Sequence, residues 1–367
     1  MVARFCFSER LAAGALIVRA LLLAALVMLG SGCATIGYYR QSFAGHWQVM
    51  QRRTPITRAI ADPDTRPEVK QRLEQVEQIR RFAVEELLLP DNRSYQSYAD
   101  IQRPYVLWNV FAAPEFELKA FESCFPLVGC LAYRGYYAEA DARAQAERLR
   151  AQGYDVHVAG VSAYSTLGWF SDPVLNTMLR WSETELAGVI FHELAHQKLY
   201  VRDDSAFNES FASTVQEEGV RRWLERRGDD SLTRAVADDR RRREDFVRLV
   251  QRTRARLQQL YGSAQPSAQM RESKAQVFAE MRTEYERIKQ SWGGYAGYDN
   301  WFGMDLNNAK LLAVATYHEW VPAFRQMIVS SDGDLIRFYA DAELAARLGP
   351  DQRRRWLSNW KLLGTAM

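Results

Sequence analysis

The sequence predicts an α-rich α+β fold, in which a small mixed sheet precedes a helical second half. The 367 residues are 47% hydrophobic and 25% charged, which is enough apolar material for a sizeable core. Aromatic and β-branched residues concentrate at 104–165 and predict short strands, whereas long arginine-rich helical patterns follow Gly228. We expect one large domain, 33–367, with N-terminal helices and the sheet in 33–176 and a helical part in 177–367.

Residues 1–32 are predicted to be a targeting segment. Three arginines precede the apolar run 20–29, which is too short to span a bilayer comfortably, and small residues then lead to Cys33. The segment resembles a bacterial lipoprotein signal, which is cleaved before Cys33 and leaves a lipid on the Cys33 thiol. Gly30 stands where the usual pattern has leucine, so a plain secretory signal or an uncleaved anchor stays open.

The resemblance to a lipoprotein signal implies a membrane partner and a location. Acyl chains on Cys33 would hold the protein at the membrane surface. Ala34, directly after this cysteine, resembles the sorting pattern for the outer membrane. We expect a lipid-anchored protein of the bacterial cell envelope, on the outer membrane and facing the periplasm. The net charge of +3 is nearly neutral for this length, so the charge implies no nucleic-acid partner.

Strands and a helix are predicted between the targeting segment and the middle of the chain. The predicted strands of the small sheet are 105–112, 116–118, 131–137 and 155–159. A helix at 139–151 is ended by Gly153. His157 alternates with valines in the last strand, so we interpret it as a surface histidine rather than a ligand.

The positions of the cysteines are consistent with a protein that is exported from the cytoplasm. The chain has four cysteines, of which Cys6 lies in the targeting segment and Cys33 is the predicted lipid site. Cys124 and Cys130 remain as a pair in an oxidising compartment, so we expect them to form a disulfide. Two buried free thiols, and more remotely a pair of metal ligands, stay open.

The strongest motif is the pentapeptide HELAH, which begins at His192. Ser182 and Glu185 have the spacing of a capping box that starts a helix, so the pentapeptide is predicted to lie mid-helix. Histidines four residues apart on a helix lie about 6 Å apart on one face, so His192 and His196 can both reach one Zn²⁺, with Glu193 beside them. With five histidines in the whole chain, chance is the weaker explanation.

A catalytic zinc takes three protein ligands, and the third candidate is Glu209. It lies on the first turn of a second predicted helix, and twelve residues separate it from His196. That length allows a helix end, a loop at 203–205 and a return of the chain. Glu209 can therefore fold back onto the metal.

Several segments together resemble a known family. A HExxH helix followed by an NExFA-type helix resembles the gluzincin peptidases, zinc enzymes with two histidines and a glutamate. More narrowly, the lipoprotein start, CFPLVGCLAYRGYY, STLGWFSDPVL, HELAHQ and FNESFA occur in the order typical of the putative aminopeptidase family of bacterial zinc lipoproteins. The resemblance covers most of the chain from Cys33 to about Phe324. It implies a gluzincin-like fold with the small sheet packed on the HExxH helix.

The same resemblance implies the roles of individual residues. It makes His192, His196 and Glu209 the ligands of one Zn²⁺ per chain, and Glu193 the general base. It also places the segment before the zinc helix at the edge strand that binds a peptide substrate. Candidate substrate-binding residues in that segment are Ser165, Thr166 and Trp169, for which a structural turn is an equal alternative.

A later helix, ending near Phe324, offers candidate hydrogen-bond donors. Zinc peptidases often use a tyrosine or a histidine to stabilise the negative charge that develops on the tetrahedral intermediate. Tyr317 is the first candidate for this catalytic role and His318 is the second. A core tyrosine and a solvent-facing histidine are the alternatives.

Two long polar helices, 232–261 and 267–292, predict an αα-hairpin. Its alternating charges favour an exposed arm and a possible envelope-protein partner. The leading hypothesis for function is a zinc-dependent peptidase, an aminopeptidase by resemblance. A zinc endopeptidase is an alternative, and a non-catalytic, lipid-anchored interaction protein with a structural zinc is another.

Overall fold

The structure is a computed structural model, and it describes residues 37–125, 129–163, 166, 170–228 and 230–363, without the side chains of 315–317. Helix α1 includes residues 37–51 and belongs to a compact unit separate from the one that begins at Arg52. The targeting segment and the predicted lipid site Cys33 lie outside the described residues. No helix within these ranges is both long and apolar enough to cross a membrane.

From Arg52 onward, the described chain contains short strands and long helices. The strands are β1 (Arg53–Pro55), β2 (Ser97–Ala99), β3 (Leu107–Pro114), β4 (Ser123–Phe125), β5 (Gly129–Leu131), β6 (Arg134–Tyr136), β7 (Tyr154–Val161) and β8 (Val174–Leu175). The helices are α2 (Ile56–Ala61), α3 (Pro67–Glu85), α4 (Glu139–Ala151), α5 (Glu183–Lys198), α6 (Ser205–Arg227), α7 (Asp230–Tyr261), α8 (Ser267–Ser291), α9 (Asp299–Gly303), α10 (Asn308–His318), α11 (Val321–Ser330), α12 (Leu335–Arg347) and α13 (Pro350–Leu363). The α-rich α+β class predicted from the sequence is confirmed.

The strands form three small sheets, so the prediction of one sheet is wrong. One sheet has the order β1-β2-β8 and is mixed, because β2 pairs antiparallel with β1 and parallel with β8. The second has the order β6-β3-β7 and is antiparallel, and β4 pairs with β5 alone. Strands of two or three residues pair with too few neighbours to extend into a common sheet.

The predicted strand at 116–118 is also wrong. Pro114 ends β3, and the carbonyl oxygen of Pro114 accepts a hydrogen bond from the backbone nitrogen of Glu117 at 3.3 Å. The chain therefore turns at this point instead of continuing as a strand, because proline offers no N–H for pairing. The other three predicted strands overlap β3, β5 with β6, and β7.

The αα-hairpin of α7 and α8 is confirmed, but its inner face is not exposed. Apolar side chains from both helices pack with α9 and α10 in one buried cluster, which includes Phe246, Leu249, Phe278, Met281 and Leu311. The hairpin is therefore part of the core of the second unit, and its ion-paired faces lie at the surface. Helix α10 in turn packs on β3 and β7, which brings the hairpin and the antiparallel sheet to the same region.

Candidate metal centre

Helix α5 carries the HELAH pentapeptide in its C-terminal half. The predicted capping box at its start is confirmed: Ser182 Oγ accepts a hydrogen bond from the Glu185 backbone nitrogen at 3.3 Å, and the Glu185 carboxylate accepts one from the Ser182 backbone nitrogen at 2.8 Å. The capping box fixes the first residue of α5, and helix periodicity then determines which face carries the two histidines. His192 and His196 are both 9% exposed and lie one turn apart on the same face.

The loop after α5 returns the chain so that α6 lies against α5. Asn208 closes this loop, because its side chain accepts a hydrogen bond from the Val201 nitrogen and donates one to the Val201 oxygen, both at 2.7 Å. Asp204 caps α6 through the backbone nitrogen of Phe207 at 3.0 Å. A side chain is excluded where the helices are closest, since a Cβ on Gly219 would lie 2.6 Å from the Phe191 ring.

This arrangement brings Glu209 to both histidines. The Nε2 atoms of His192 and His196 are 3.2 Å apart, and Glu209 Oε2 lies 3.3 Å from the first and 3.5 Å from the second. Tetrahedral Zn²⁺ with bonds of about 2.0–2.2 Å requires ligand atoms about 3.3–3.6 Å apart. The three atoms therefore have the spacing and the donor types that such an ion needs. Together they form a buried group that could hold a metal ion.

A further residue holds one of the histidine rings from behind. Gln216 Oε1 lies 3.1 Å from Nδ1 of His192, and Gln216 itself packs over Gly188, where a Cβ would come within 3.0 Å of the amide nitrogen. The contact favours the tautomer that leaves the Nε2 lone pair directed toward His196 and Glu209. Gln216 thus orients one of the candidate metal ligands, His192, whereas Nδ1 of His196 has no hydrogen-bond partner within the described chain.

The two glutamates of the site have opposite pKa shifts. Burial raises the pKa of Glu193 to about 7, and Glu209 and Asp172 add to the increase while His192 opposes it. Burial also acts to raise the pKa of Glu209, but the charges and hydrogen bonds of His196 and His192 lower it to about 2. Glu209 is therefore the carboxylate that stays ionised, as a metal ligand must.

The candidate metal group opens into a cavity of about 900 Å³. One wall is the antiparallel sheet, from which Asn109 and Phe111 of β3 and Ala159 of β7 line the cavity. Further aromatic and apolar lining residues come from other elements: Tyr133, Trp181, Phe246, Tyr298, Trp301 and Val314. A mostly apolar cleft with a few convergent polar groups is typical of a ligand-binding site.

Three further residues considered in the sequence analysis are His318, Tyr317 and His157. His318 lines the cavity and is half-buried, and burial together with the charges of Arg243, Arg325 and His192 lowers its pKa to about 4. The side chain of Tyr317 lies outside the described residues. His157 is half-buried beside the ring of Phe111, so its interpretation as a surface histidine is wrong, because α10 packs on this part of the sheet.

The candidate substrate-binding segment is described only in part. Ser165 and Trp169 lie outside the described residues. Thr166 belongs to a turn: its backbone nitrogen and its hydroxyl donate hydrogen bonds to the Asp172 carboxylate at 2.9 and 2.8 Å. This geometry is that of the structural alternative for Thr166.

Cys124 and Cys130 are joined by a disulfide that links β4 to β5. The backbone nitrogen of Cys130 donates a hydrogen bond to Asp203 Oδ1 at 2.6 Å. Gly129 has a φ of +81°, and a Cβ there would collide with the Asp203 side chain. The disulfide-bonded hairpin therefore rests on the loop between α5 and α6, next to the cavity residue Leu131.

The sequence interpretation did not identify several polar cavity residues, among them Asn109, Tyr200, Gln216 and Arg243. Gln216 follows Glu209 at a helical spacing of seven, so extending the helical face of Glu209 would have found it. Tyr200 lies near Glu209, and burial, followed by the charge of Glu209, raises its pKa. Asn109 and Arg243 come from distant parts of the chain and have no sequence signal.

The fold and the site define an α-rich α+β protein whose two central helices bring two histidines and a glutamate together at a cavity. A family described as "Putative aminopeptidase" matches residues 37–357. The chain belongs to this family, which confirms that part of the resemblance seen in the sequence. No match was found among curated proteins or among solved structures.

Proposed function

We propose that the protein is a zinc-dependent peptidase of the gluzincin type. The observation that carries the proposal is the triangle of His192, His196 and Glu209, with sides of 3.2 to 3.5 Å, next to Glu193 on the same helix. Two imidazoles and one carboxylate are a donor set typical of catalytic zinc. These three residues would hold one Zn²⁺ per chain.

When bound, Zn²⁺ supplies Lewis-acid chemistry, polarising a scissile carbonyl and lowering the pKa of a coordinated water toward 7. Glu193 lines the cavity one residue after His192, where it can accept a proton from the attacking water and return it to the leaving amine. His318, which lines the same cavity, is neutral at pH 7 because its pKa is lowered to about 4. A neutral imidazole can donate one hydrogen bond to the developing oxyanion.

Strand β7 offers a way to hold a peptide. It pairs with β3 on one side only, so it is an edge strand of the described sheet, and Ala159 to Ala163 line the cavity. An extended peptide can pair with such an edge through backbone hydrogen bonds. This edge is a second candidate for the role that the sequence suggested for the segment 163–173.

The site favours catalysis over a structural zinc. A structural zinc is usually closed by a fourth protein ligand, and the group of histidine and acidic side chains around this centre has three members within the described chain. The family description favours removal of N-terminal residues, and an endopeptidase is the second candidate because the cavity is open to solvent.

A lipid anchor on Cys33 and an outer-membrane location facing the periplasm belong to the same proposal. The Cys124–Cys130 disulfide supports an oxidising compartment. The charged faces of the α7–α8 hairpin are the surface we propose for an envelope-protein partner, since both helices carry ion-paired arginines at the surface, Arg241 and Arg248 on α7 and Arg271 on α8.

The test compares the full chain in detergent with its Glu193→Gln variant. We expect the variant to bind zinc as the wild type does and to lose roughly 10²–10⁴-fold in kcat, because it lacks the proton acceptor. Glu225→Gln, an exposed change on α6, is the matched control and keeps full activity. Peptide products identified by mass spectrometry distinguish stepwise N-terminal removal from internal cleavage. Hydrolysis by Glu193→Gln at the wild-type rate would overturn the proposal.

A further inference from the structure

The charges that line the cavity have an unexpected distribution for an enzyme that would recognise a free N-terminus. Among the residues that the structure describes, the acidic lining side chains are Glu185, Glu193 and Glu209. Glu209 belongs to the candidate metal group, and Glu193 is the proposed base. The Glu185 carboxylate accepts hydrogen bonds from the hydroxyl and the backbone nitrogen of Ser182 at 2.7 and 2.8 Å. Within the described lining, no carboxylate is left to bind the α-ammonium of a peptide.

The cavity does contain a positively charged side chain. Arg243 of α7 is the one lysine or arginine that lines the cavity in the described part of the chain. The three arginines before it each form an ion pair along the helix: Arg240 with Glu244, Arg241 with Asp238, and Arg242 with Asp239. Arg243 forms no ion pair with any residue in the described ranges. Its guanidinium is therefore a cation exposed to solvent at the cavity without a carboxylate of its own.

Arg243 is surrounded by groups that suit a peptide end. It lies beside the hydroxyl of Tyr298, whose pKa is raised by burial while Arg243 opposes that increase. The Tyr298 ring stacks on Phe246 with centroids 4.4 Å apart, and Trp301 meets Phe246 edge-on at 4.9 Å. An apolar side chain can pack on these rings while a carboxylate on the same residue meets the guanidinium.

Arg243 is also within reach of the metal centre. Its charge and that of His192 both act on His318, and all three residues line the same cavity. A short peptide whose scissile bond is at the metal would therefore have its other end in the cavity that contains Arg243. The Arg243 guanidinium and the candidate metal centre therefore belong to one cavity.

A second, independent observation concerns a buried polar atom in the cavity wall. Asn109 on β3 is 5% exposed and lines the cavity, and its Oδ1 atom is buried without a hydrogen-bond partner in the described chain. A buried carbonyl without a partner is unfavourable, and a hydrogen bond from a ligand N–H would offset that cost. Asn109 and Arg243 would then hold an amide group and a carboxylate of the same ligand.

We propose that Arg243 binds a carboxylate of the substrate, so that the enzyme selects short peptides by an anionic group instead of by the α-ammonium. This inference rests on the proposed peptidase function and names its substrate class. The carboxylate has two possible sources, the C-terminus of the peptide or the side chain of an acidic residue. Both place one negative charge on the far side of the scissile bond from the N-terminal residue.

Matched peptides distinguish the two sources. The first pair is leucyl-phenylalanyl-leucine as the free acid and as the C-terminal amide. The second pair is leucyl-phenylalanyl-aspartate and leucyl-phenylalanyl-asparagine, both as C-terminal amides. We expect kcat/KM to be roughly tenfold higher for the charged member of at least one pair, through a lower KM. Preference within the first pair identifies the C-terminus, and preference within the second identifies the side chain.

Three variants of the full chain assign the preference to Arg243. Arg243→Gln is expected to cleave both members of the preferred pair equally, whereas Arg243→Lys keeps part of the preference. Arg241→Gln is the matched control, since this exposed neighbour is paired with Asp238 and lies outside the set of cavity residues. Salt gives a further test, because screening at about 0.5 M NaCl should raise the KM of the charged peptide and leave that of the amide unchanged.

A binding measurement separates this inference from the proposed function. The Kd of each peptide is measured by calorimetry on Glu193→Gln and on Glu193→Gln with Arg243→Gln. Weaker binding of the charged peptide to the double variant supports the inference even if no peptide is cleaved. Equal kcat/KM and equal Kd for charged and uncharged peptides in the wild type would overturn it, while leaving zinc-dependent hydrolysis intact. An equal loss for both peptides in Arg243→Gln would also overturn it, since that loss would show a structural role.

Discussion

The side-chain oxygen of Gln216 lies 3.1 Å from Nδ1 of His192, while the other ring nitrogen lies 3.3 Å from Glu209. The imidazole is therefore held between an acceptor on one side and the candidate metal group on the other. Such an acceptor makes the ligand more basic and fixes the orientation of the ring.

We predict that Gln216→Leu lowers the affinity for zinc by about 10–100-fold, because the Nδ1 acceptor is lost while the three ligands remain. Gln216→Glu keeps an acceptor at the same place and is expected to retain the wild-type affinity. Competition with a chromophoric chelator measures both values. Equal affinities for Gln216→Leu and the wild type would show that the contact does not orient the ligand.

Asn208 is predicted to stabilise the loop between the two helices of the candidate metal centre. Asn208→Ala removes both hydrogen bonds to the half-buried backbone groups of Val201, so the free energy of unfolding should fall by roughly 1–3 kcal/mol. Zinc affinity should fall too, because Glu209 is the next residue. Asn208→Asp keeps the hydrogen-bond acceptor and loses the donor. Its free energy of unfolding is expected to lie between that of Asn208→Ala and that of the wild type. Chemical denaturation with and without zinc provides the measurement.

Removal of the metal is predicted to destabilise the folded chain. A ligand that binds only the native state stabilises it by about 2.7 kcal/mol at a free concentration 100 times the Kd. Chelator should therefore lower the Tm of the wild type, and added zinc should restore it. The Tm of His196→Ala should respond to neither. A wild-type Tm that is independent of chelator would contradict the metal assignment.

Stability should depend on pH through His157. Burial, followed by the charge of Lys310, lowers the pKa of His157 to about 4 in the folded chain, against about 6.5 in the unfolded chain. Between these values the unfolded state binds more protons, so the free energy of unfolding decreases as the pH falls from about 6.5 to about 4. The full effect is on the order of 3 kcal/mol, and the contribution of His157 to the slope fades within about one pH unit above 6.5.

The variant that isolates this effect is His157→Phe, which cannot titrate and can pack beside Phe111. We expect its stability to fall less steeply than that of the wild type between pH 6.5 and 4, whatever its stability at pH 7. Urea denaturation across this range gives the two slopes. Parallel slopes would contradict the assignment to His157.

The grouping of the three candidate metal ligands could be predicted from the sequence because it depends on local geometry. His192 and His196 are one helical turn apart, and Glu209 lies near the start of the next helix after a short loop, so three residues are placed by helix periodicity and one turn. The αα-hairpin was predicted for the same reason. Its packing was not, because the charge pattern that indicates solvent exposure on one face carries no information about the partner of the other face.

The substrate side of the cavity could not be predicted in this way. Asn109 is followed by more than eighty residues before the first metal ligand, and Arg243 lies more than thirty residues after Glu209. Each looks ordinary in its local sequence: one polar residue in an apolar strand, one arginine in a run of arginines. Their juxtaposition depends on how α10 packs on both the sheet and α7, which is a tertiary contact.

The three candidate metal ligands lie within 18 consecutive residues, 192–209, whereas the cavity walls extend from Leu107 to His318. Contacts between residues close in sequence require little loop-closure entropy, and distant contacts require more. Under the proposed function, zinc uptake can therefore precede completion of the cleft during folding. The zinc content of a preparation would therefore not measure its active fraction. That fraction has to be determined by titration with a tight-binding inhibitor.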